Sequence, residues 1–324
     1  MTCLVTGGAG YIGSHIVASL KEHGYSVVVL DNLASGVATR IPGVPMITCD
    51  LSDDSNVAQM AEFMKEHGVT SVIHTAALKS VPESVTNPLG YFKVNVGGTV
   101  NLLAAMQIAG AHNIVFSGTA AVYGMAKGTV TEDAPTLPIN PYGESKLYCE
   151  QLLRDMNAVG QMRAASLRYF NVAGSGDDSR ADNFATNLIP QVLRRIVAGE
   201  QPQIFGLDYE TEDGSCVRDY IHVVDLAEAH ILTLKAIEAA GDSWNFNVYN
   251  IGTGTGYSVI EVVNRALVET GTELTYSVAE RRPGDPARIV ANPAKINSEL
   301  GWSAKYTLDD MVRSAWSGMQ ALTK

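Results

Sequence analysis

Glycines at positions 7, 10 and 13 constrain this chain more than any other feature of its sequence. They lie in Leu4-Val5-Thr6-Gly7-Gly8-Ala9-Gly10-Tyr11-Ile12-Gly13, where a strand-forming run meets a helix-forming one. Such a junction needs a backbone position at positive φ, brings main chain close to a pyrophosphate, and presents the N–H groups and positive dipole end of a helix. The same triplet also suits a merely tight strand-to-helix turn. Its place at the first junction of a βαβ unit favours the dinucleotide reading. Downstream, Ile12, Ile16 and Leu20 recur at four-residue spacing and Gly24 follows, the pattern of an amphipathic helix ended by a left-handed cap.

Short β-rich runs then alternate with helical patterns. Cys3–Thr6, Ser26–Leu30, Met46–Cys49, Ser71–His74, Asn113–Ser117 and Ala164–Arg168 read as strands. Alternation of this kind gives an α/β fold with a doubly wound parallel Rossmann sheet. It fades after Arg168 into a Gly/Asp/Asn-rich stretch from Asn171 to Asn183. The expected organisation is a dinucleotide-binding domain over residues 1–170 and a smaller C-terminal α/β substrate lobe over 171–324. A helical pattern at Val224–Ala240 and a strand at Val248–Ile251 suggest that the chain returns to the first domain within residues 220–252.

The formal charge of −11 disfavours nucleic acid and anionic membrane surfaces as partners, and no run of Lys and Arg opposes it locally. An anionic substrate would therefore depend on a few well-placed arginines. Cys3, Cys49, Cys149 and Cys216 show no C-x-x-C pairing, which argues against a metal site and for reduced thiols in a cytoplasmic protein. The chain opens directly into a strand-like run, and no apolar run is long enough to span a bilayer.

Asp31 ends the second strand eighteen residues after Gly13, near the spacing at which an acidic side chain accepts from the adenosine ribose hydroxyls; a 2′-phosphate would be repelled there, which favours NAD over NADP. Asp50, ending the third strand, reads two ways: an acceptor for the adenine amino group, or a turn and helix-capping aspartate ahead of Asp53. Tyr142-Gly143-Glu144-Ser145-Lys146 sets a tyrosine and a lysine on one face of a helix beginning after Pro141. A phenol acts as a base only if its pKa falls from about 10 towards about 7, which requires roughly 4 kcal/mol. One cation about 4 Å away, at an effective dielectric of about 20, supplies an amount of that order. Lys146 and the positive nicotinamide ring are the two sources expected. Thr119 follows the fifth strand, so its hydroxyl lies at the carboxyl edge of the sheet, placed to bridge a substrate hydroxyl and Tyr142.

Taken together these motifs resemble the extended short-chain dehydrogenase/reductase family, and within it the UDP-glucose (UDP-galactose) 4-epimerases, over essentially the whole chain. The likeness rests on Thr6 to His15, Asp31-Asn32-Leu33, His74 to Lys79, Asn95, Tyr142 to Lys146, and Leu167 to Asn171. It rests further on Glu212-Asp213-Gly214, Val217 to Val223 and Arg281-Arg282-Pro283-Gly284-Asp285. The resemblance implies that Tyr11, Ile12, Asp31, Asn32, Asp50, Leu51, Thr75, Ala76, Ala77, Lys79, Asn95 and Phe170 enclose NAD with the glycines, Tyr142 and Lys146. It implies that Asn171, Asn187, Leu188, Phe205, Arg218, Tyr220, Arg282 and Asp285 hold UDP, with Thr119 and Tyr142 at the sugar. The implied catalytic set is Thr119, Tyr142 and Lys146. The implied activity exchanges UDP-galactose and UDP-glucose by transient oxidation at C4, in a homodimer packed through the helices Leu89–Ala109 and Pro141–Met156.

Two positions depart from the family pattern. Thr119 stands where many members carry serine, keeping the hydroxyl and adding a methyl group. Ile289 stands at the position that excludes or admits N-acetylated sugars, and its intermediate size favours unacetylated ones. A related dehydratase would carry Asp-Glu after the threonine, whereas Ala120 and Ala121 follow it here. A non-catalytic NAD-binding regulator on the same fold is the reading of a different class, disfavoured by Tyr142 and Lys146 together.

Overall fold

Thr2–Thr6 lies inside a seven-stranded sheet whose order is Asn247–Ile251, Arg163–Tyr169, Asn113–Ser117, Val69–His74, Thr2–Thr6, Ser26–Asp31 and Met46–Thr48. The computed structural model describes residues 1–182, 187–282 and 284–322. Val5 pairs in parallel with Val29 on one side and Ile73 on the other, and Val115 with Ile73 and Ala165. Strands buried on both faces read as continuous apolar runs, and Val27–Leu30, Val72–Ile73 and Ile114–Phe116 are all buried. The chain winds outward in both directions from its first strand. Ligands of such sheets bind beyond the strands' carboxyl ends at this reversal. Met60, Met64, Leu102, Met106, Cys149 and Leu153, from three helices, pack on Leu4, Leu30, Val72 and Phe116 in one core. Each large side chain so buried contributes about 1.5–3 kcal/mol.

The chain forms two compact units, one of Met1–Gly124, Thr136–Arg168 and Ala227–Tyr249, the other of Met125–Pro135, Tyr169–Leu226 and Asn250–Lys324. In the second unit, Val217–His222 is the hub of a mixed sheet. It pairs antiparallel with Gly256–Ser258 and parallel with Arg288–Ala291, which in turn pairs with Gly128–Val130. Its second half pairs with Asn171–Ala173. Gln203–Phe205 and Ser277–Ala279 form a separate parallel pair. Helices Leu188–Val197, Val259–Thr270 and Leu308–Leu322 enclose a core containing Ile189, Leu193, Ile196, Val262, Ala266 and Met311.

One segment differs from the sequence expectation. The helix expected over Leu89–Ala109 is an α-turn at Pro88–Tyr91, a π-helical stretch at Phe92–Gly97 and an α-helix only from Gly98. The Gly/Asp/Asn-rich stretch into which the alternation fades after Arg168 contains the strand Asn171–Ala173 and a 3-10 turn at Asp178–Arg180. Asn183, at the end of that stretch, and Pro283, in the Arg-Arg-Pro-Gly-Asp motif, lie outside the described residues.

Candidate active site

The glycine turn is built to a tolerance that side chains cannot meet. Gly7 has φ +69°, its N–H donates to the Leu30 carbonyl at 2.7 Å, and a Cβ there would lie 2.8 Å from Thr75 Oγ1. At Gly13 a Cβ would lie 2.1 Å from the Gly7 carbonyl oxygen. Gly10 differs: a Cβ would meet only that carbonyl oxygen, at 3.1 Å, and its outer side is open. Helix Tyr11–Glu22 begins there with no side-chain cap, so helix geometry directs its first N–H groups outward. Gly7, Gly10, Tyr11, Ile12 and Gly13 form this turn, whose geometry suits a diphosphate.

Asp31 is 6% exposed; Oδ2 accepts the Ala9 N–H at 3.0 Å and Oδ1 the Leu33 N–H at 2.8 Å. A carboxylate has about four acceptor sites, so two bonds leave capacity for ribose hydroxyls. Leu33, at φ +58°, is the one non-glycine in the left-handed region among the described residues. Asp50 is exposed, and its Oδ1 accepts from the Ser52 N–H and Oγ, both at 2.8 Å. That is the turn-capping role, and it holds the Asp50 carboxyl below its usual range, with help from the Asn32 side chain. Leu51 is buried beside Gly98.

The segment from Thr75 to Lys79 leaves the fourth strand with Thr75 Oγ1 donating to the Thr6 carbonyl at 2.6 Å; Ala76 and Ala77 are half-buried and Lys79 is exposed. Asn95, on the π-helical stretch, accepts the Leu78 N–H at 2.8 Å, donates to the Leu78 carbonyl at 3.1 Å, and donates to Ser145 Oγ at 2.9 Å. It clamps this loop to the helix carrying Tyr142. π-helical insertions recur at functional sites because they re-aim a side chain without ending the helix.

That helix, Pro141–Ala158, starts where Asn140 accepts the Gly143 N–H at 2.8 Å and Pro141 takes the first position, where no N–H is needed. Gly143 is required by proximity: a Cβ would lie 2.8 Å from the Ala121 carbonyl oxygen. The 3-10 turn Ala120–Tyr123 is thereby held against the helix start. Thr119 caps this turn by accepting the Ala121 N–H at 3.2 Å, and Tyr142 lies at the start of the helix against which it is held. Tyr142 is 8% exposed, edge-on to the Tyr91 ring at 6.5 Å. Burial pushes its pKa up and the Thr119 hydroxyl draws it down, with burial the larger effect.

Lys146, one turn on, donates to the Ser117 carbonyl at 2.9 Å and lies 4.7 Å over the Phe116 ring. Burial brings its pKa down to about 8. Sequence spacing predicts a part for Lys146 in acidifying the phenol; in the structure its ammonium is held on the Ser117 carbonyl, one helical turn from Tyr142. His74 is buried between Thr6 Oγ1 and Thr99 Oγ1, and burial, then the Lys146 charge, lower its pKa to about 3. It stays neutral and braces the sheet edge.

The second unit contains a cavity of about 250 Å³ lined by Asn171, Asn187, Leu188, Phe205, Arg218, Tyr220, Arg282 and Asp285. Every UDP-holding residue expected from the resemblance lines this one cavity. Arg282 stacks 3.7 Å over the Phe205 ring, and Arg218 Nη2 lies 3.4 Å from Asp285 Oδ1. Cations concentrated in an acidic chain and an aromatic face suit a nucleoside diphosphate. Gln191, Arg195, Gln203, Cys216 and Val259 also line it, and no local motif marks them. Asp219, between Arg218 and Tyr220, is fully buried and accepts from the N–H groups of Thr253 at 2.9 Å, Gly254 at 3.0 Å and Ala291 at 3.1 Å. It pins the cavity's central strand to its neighbours. Phe170, also buried, belongs to this unit and donates its N–H to the Ile251 carbonyl at 3.1 Å.

A glycine-lined dinucleotide cradle on a doubly wound sheet, with a buried tyrosine and lysine one helical turn apart, defines a Rossmann protein of the short-chain dehydrogenase/reductase type. Residues 3–252 match the family described as the NAD dependent epimerase/dehydratase family. The chain belongs to that family. It is 45% identical over 331 residues to the UDP-glucose 4-epimerase of Bacillus subtilis (strain 168), covering 98% of this chain and 96% of that one. Among solved structures, it is similar to the UDP-glucose 4-epimerase of Stenotrophomonas maltophila with bound NAD and formylated UDP-arabinopyranose, at 40% identity and TM-score 0.93, covering 100% and 99% of the two chains. It is also similar to that of Bifidobacterium longum in complex with NAD+ and UDP, at 37% identity and TM-score 0.89, covering 99% and 98%.

Proposed function

We propose that this chain interconverts UDP-galactose and UDP-glucose by transient oxidation at C4, with NAD held throughout. The observation that carries the reading is the buried Tyr142 phenol with Lys146 one turn on along the same buried helix face and Thr119 capping the turn packed against that helix start. Gly7, Gly10, Gly13, Tyr11 and Ile12 would hold the NAD diphosphate, Asp31 and Asn32 the adenosine ribose, and Asp50, Leu51, Asn95 and the Thr75 to Lys79 segment the rest of the cofactor. The cradle fits, since a Cβ at Gly7 or Gly13 would collide with the turn itself while Gly10 is open outward. Bound NAD supplies an acceptor and donor for the two electrons and hydrogen at C4, and a positive charge that favours the phenolate.

Tyr142 takes the proton from the sugar O4, directly or through the Thr119 hydroxyl, as C4 becomes a ketone. Lys146 holds the Ser117 carbonyl and keeps a positive charge at the helix. Arg218, Arg282, Phe205, Tyr220, Asn171, Asn187, Leu188 and Asp285 retain UDP while the keto ring turns over. Tyr142 then returns the proton as hydrogen re-enters C4 from the other face. Binding energy from the distant nucleotide is thus spent on holding the intermediate. One hydride and one proton leave and return, so no net oxidation occurs.

Incubation with UDP-galactose and no added NAD tests this: UDP-glucose is the expected product, and no product on folded protein, with NAD supplied or not, would remove the assignment. Ile289, 7% exposed on the strand paired with Arg218, favours unacetylated sugars in this reading. Comparing UDP-galactose with UDP-N-acetylgalactosamine checks that preference. A cytoplasmic homodimer belongs to the same proposal. The dimer reading is supported by Leu89, Val100 and Tyr148, apolar or aromatic side chains exposed on the segments expected at the interface. No helix among the described residues is long and apolar enough to cross a membrane.

A further inference from the structure

Beneath the Tyr142 helix lies a buried charge pair that touches no reacting atom. Glu150 is 1% exposed and Arg168 3%. Arg168 Nε donates to Glu150 Oε2 at 3.0 Å and Nη2 to Oε1 at 2.5 Å, a two-pronged contact to which Ser166 Oγ adds a bond to Oε2 at 2.9 Å. Burial works against the Arg168 charge, but Glu150 outweighs it and holds the guanidinium above its usual pKa. The third arm of the guanidinium, Nη1, donates to the Tyr123 hydroxyl at 2.9 Å, and the group lies 5.0 Å over the Tyr123 ring.

These partners sit on the elements that carry the chemistry. Tyr123 ends the 3-10 turn that Thr119 caps, so fixing Tyr123 fixes the far end of the turn. Glu150 is one turn beyond Lys146 and two beyond Tyr142 on the same buried helix face. Arg168 lies on strand Arg163–Tyr169, which pairs with the strand ending in Ser117, the acceptor for Lys146. The packing between them has no slack: a Cβ at Gly118 would lie 2.6 Å from Ser166 Oγ, and one at Gly143 2.8 Å from the Ala121 oxygen.

A buried ion pair is weak evidence for stability, because desolvation of both charges offsets their attraction; its attested gain is a single geometry. A guanidinium is the group best suited to that task, since its donors form a rigid planar fork. We infer that Arg168, oriented by Glu150, is a positioning residue for the Thr119 hydroxyl at the start of the Tyr142 helix, acting through the Tyr123 hydroxyl. The inference rests on Thr119 and Tyr142 being the reacting pair of the proposed epimerisation.

The test is a double-substitution cycle on NAD-loaded protein with UDP-galactose as substrate. Tyr123→Phe removes one oxygen and leaves the ring packing. It should lower kcat about tenfold, one order less than the roughly 10²-fold loss that follows a 1 Å misplacement, with KM and NAD content within about twofold of the parent. The pKa of the catalytic base in its kcat profile should rise, because the Thr119 hydroxyl that favours the phenolate is less well held. In a Thr119→Ala background the same substitution should change kcat by less than about twofold, since the hydroxyl it positions is already gone. Arg168→Lys, which keeps the charge and loses the fork, should lower kcat in the same manner in the Thr119 parent only. Losses that multiply across the cycle, or Tyr123→Phe at parental kcat while Thr119→Ala is impaired, would overturn the inference alone. Parental turnover in Thr119→Ala would overturn the assignment beneath it.

Discussion

The two binding regions are made of different materials. The dinucleotide cradle is backbone: seven consecutive residues in which Gly7 and Gly13 are defined by what a Cβ would strike. The cavity of the second unit is side chains, drawn from Asn171 to Asp285 and held in place by a buried carboxylate, Asp219, that never reaches it. At Gly7 and Gly13 the backbone site tolerates no added atom, whereas a side-chain site tolerates removal at a graded loss. The proposed reacting groups follow a third rule, since the turn that Thr119 caps lies against the start of the Tyr142 helix because Gly143 lets two backbones approach.

The largest effect should fall on the reacting pair and leave both binding regions intact. Tyr142→Phe is expected to lower kcat by about 10²- to 10⁴-fold while bound NAD and UDP affinity stay unchanged. Loss of either ligand in that variant would make the phenol part of the binding machinery instead.

Lys146 gives a prediction in which stability and activity move oppositely. Its folded pKa of about 8 lies below the roughly 10.4 of an unfolded lysine. Between those values the unfolded chain holds the proton and the folded one does not, so stability rises with pH across that window. The burial penalty, on the order of 3 kcal/mol, is fully present below pH 8. Lys146→Met should therefore lower turnover yet unfold at higher urea concentration at neutral pH, less whatever the Ser117 carbonyl loses, and should lose the pH dependence between about 8 and 10. A variant less stable at pH 7 and still pH-dependent would mean that another group sets that window.

Two further substitutions set the binding regions directly against each other. Gly13→Ala adds one carbon where 2.1 Å is available and should weaken NAD by about 10- to 100-fold, read as cofactor content after purification. Arg218→Ala should instead leave NAD in place and raise KM by about 10- to 100-fold, the range for losing a charge-assisted bond. If Gly13→Ala retained NAD, the cradle would be less constrained than its geometry implies. The smallest effect is expected at Phe205→Leu, where losing the stack with Arg282 should raise KM about two- to fivefold.

The difference in material also explains what could be read from the amino acids. Gly7, Gly10 and Gly13 announce themselves because only one residue type satisfies the turn, and the strands announce themselves because burial on both faces makes them continuously apolar. Tyr142 and Lys146 share a helix, so their spacing carries their geometry. Arg218, Arg282 and Phe205 had no such local signal and came only through resemblance. The π-helical stretch that places Asn95, the strand Gly128–Val130 in the second unit's sheet, and the Glu150–Arg168–Tyr123 contact all depend on segments distant in sequence. Periodicity within one segment does not encode such pairings. Gly143 was visible as a letter between Tyr142 and Glu144, but its reason is the carbonyl of Ala121, which only the fold brings near.

The central claim is that hydrogen leaves C4 and returns to the same molecule without meeting water. The direct test is turnover of UDP-galactose carrying deuterium at C4, with the UDP-glucose formed examined by mass spectrometry and NMR. Full retention of deuterium at C4 is the predicted result. Washout of deuterium into solvent, or conversion through a product altered at another carbon, would contradict it.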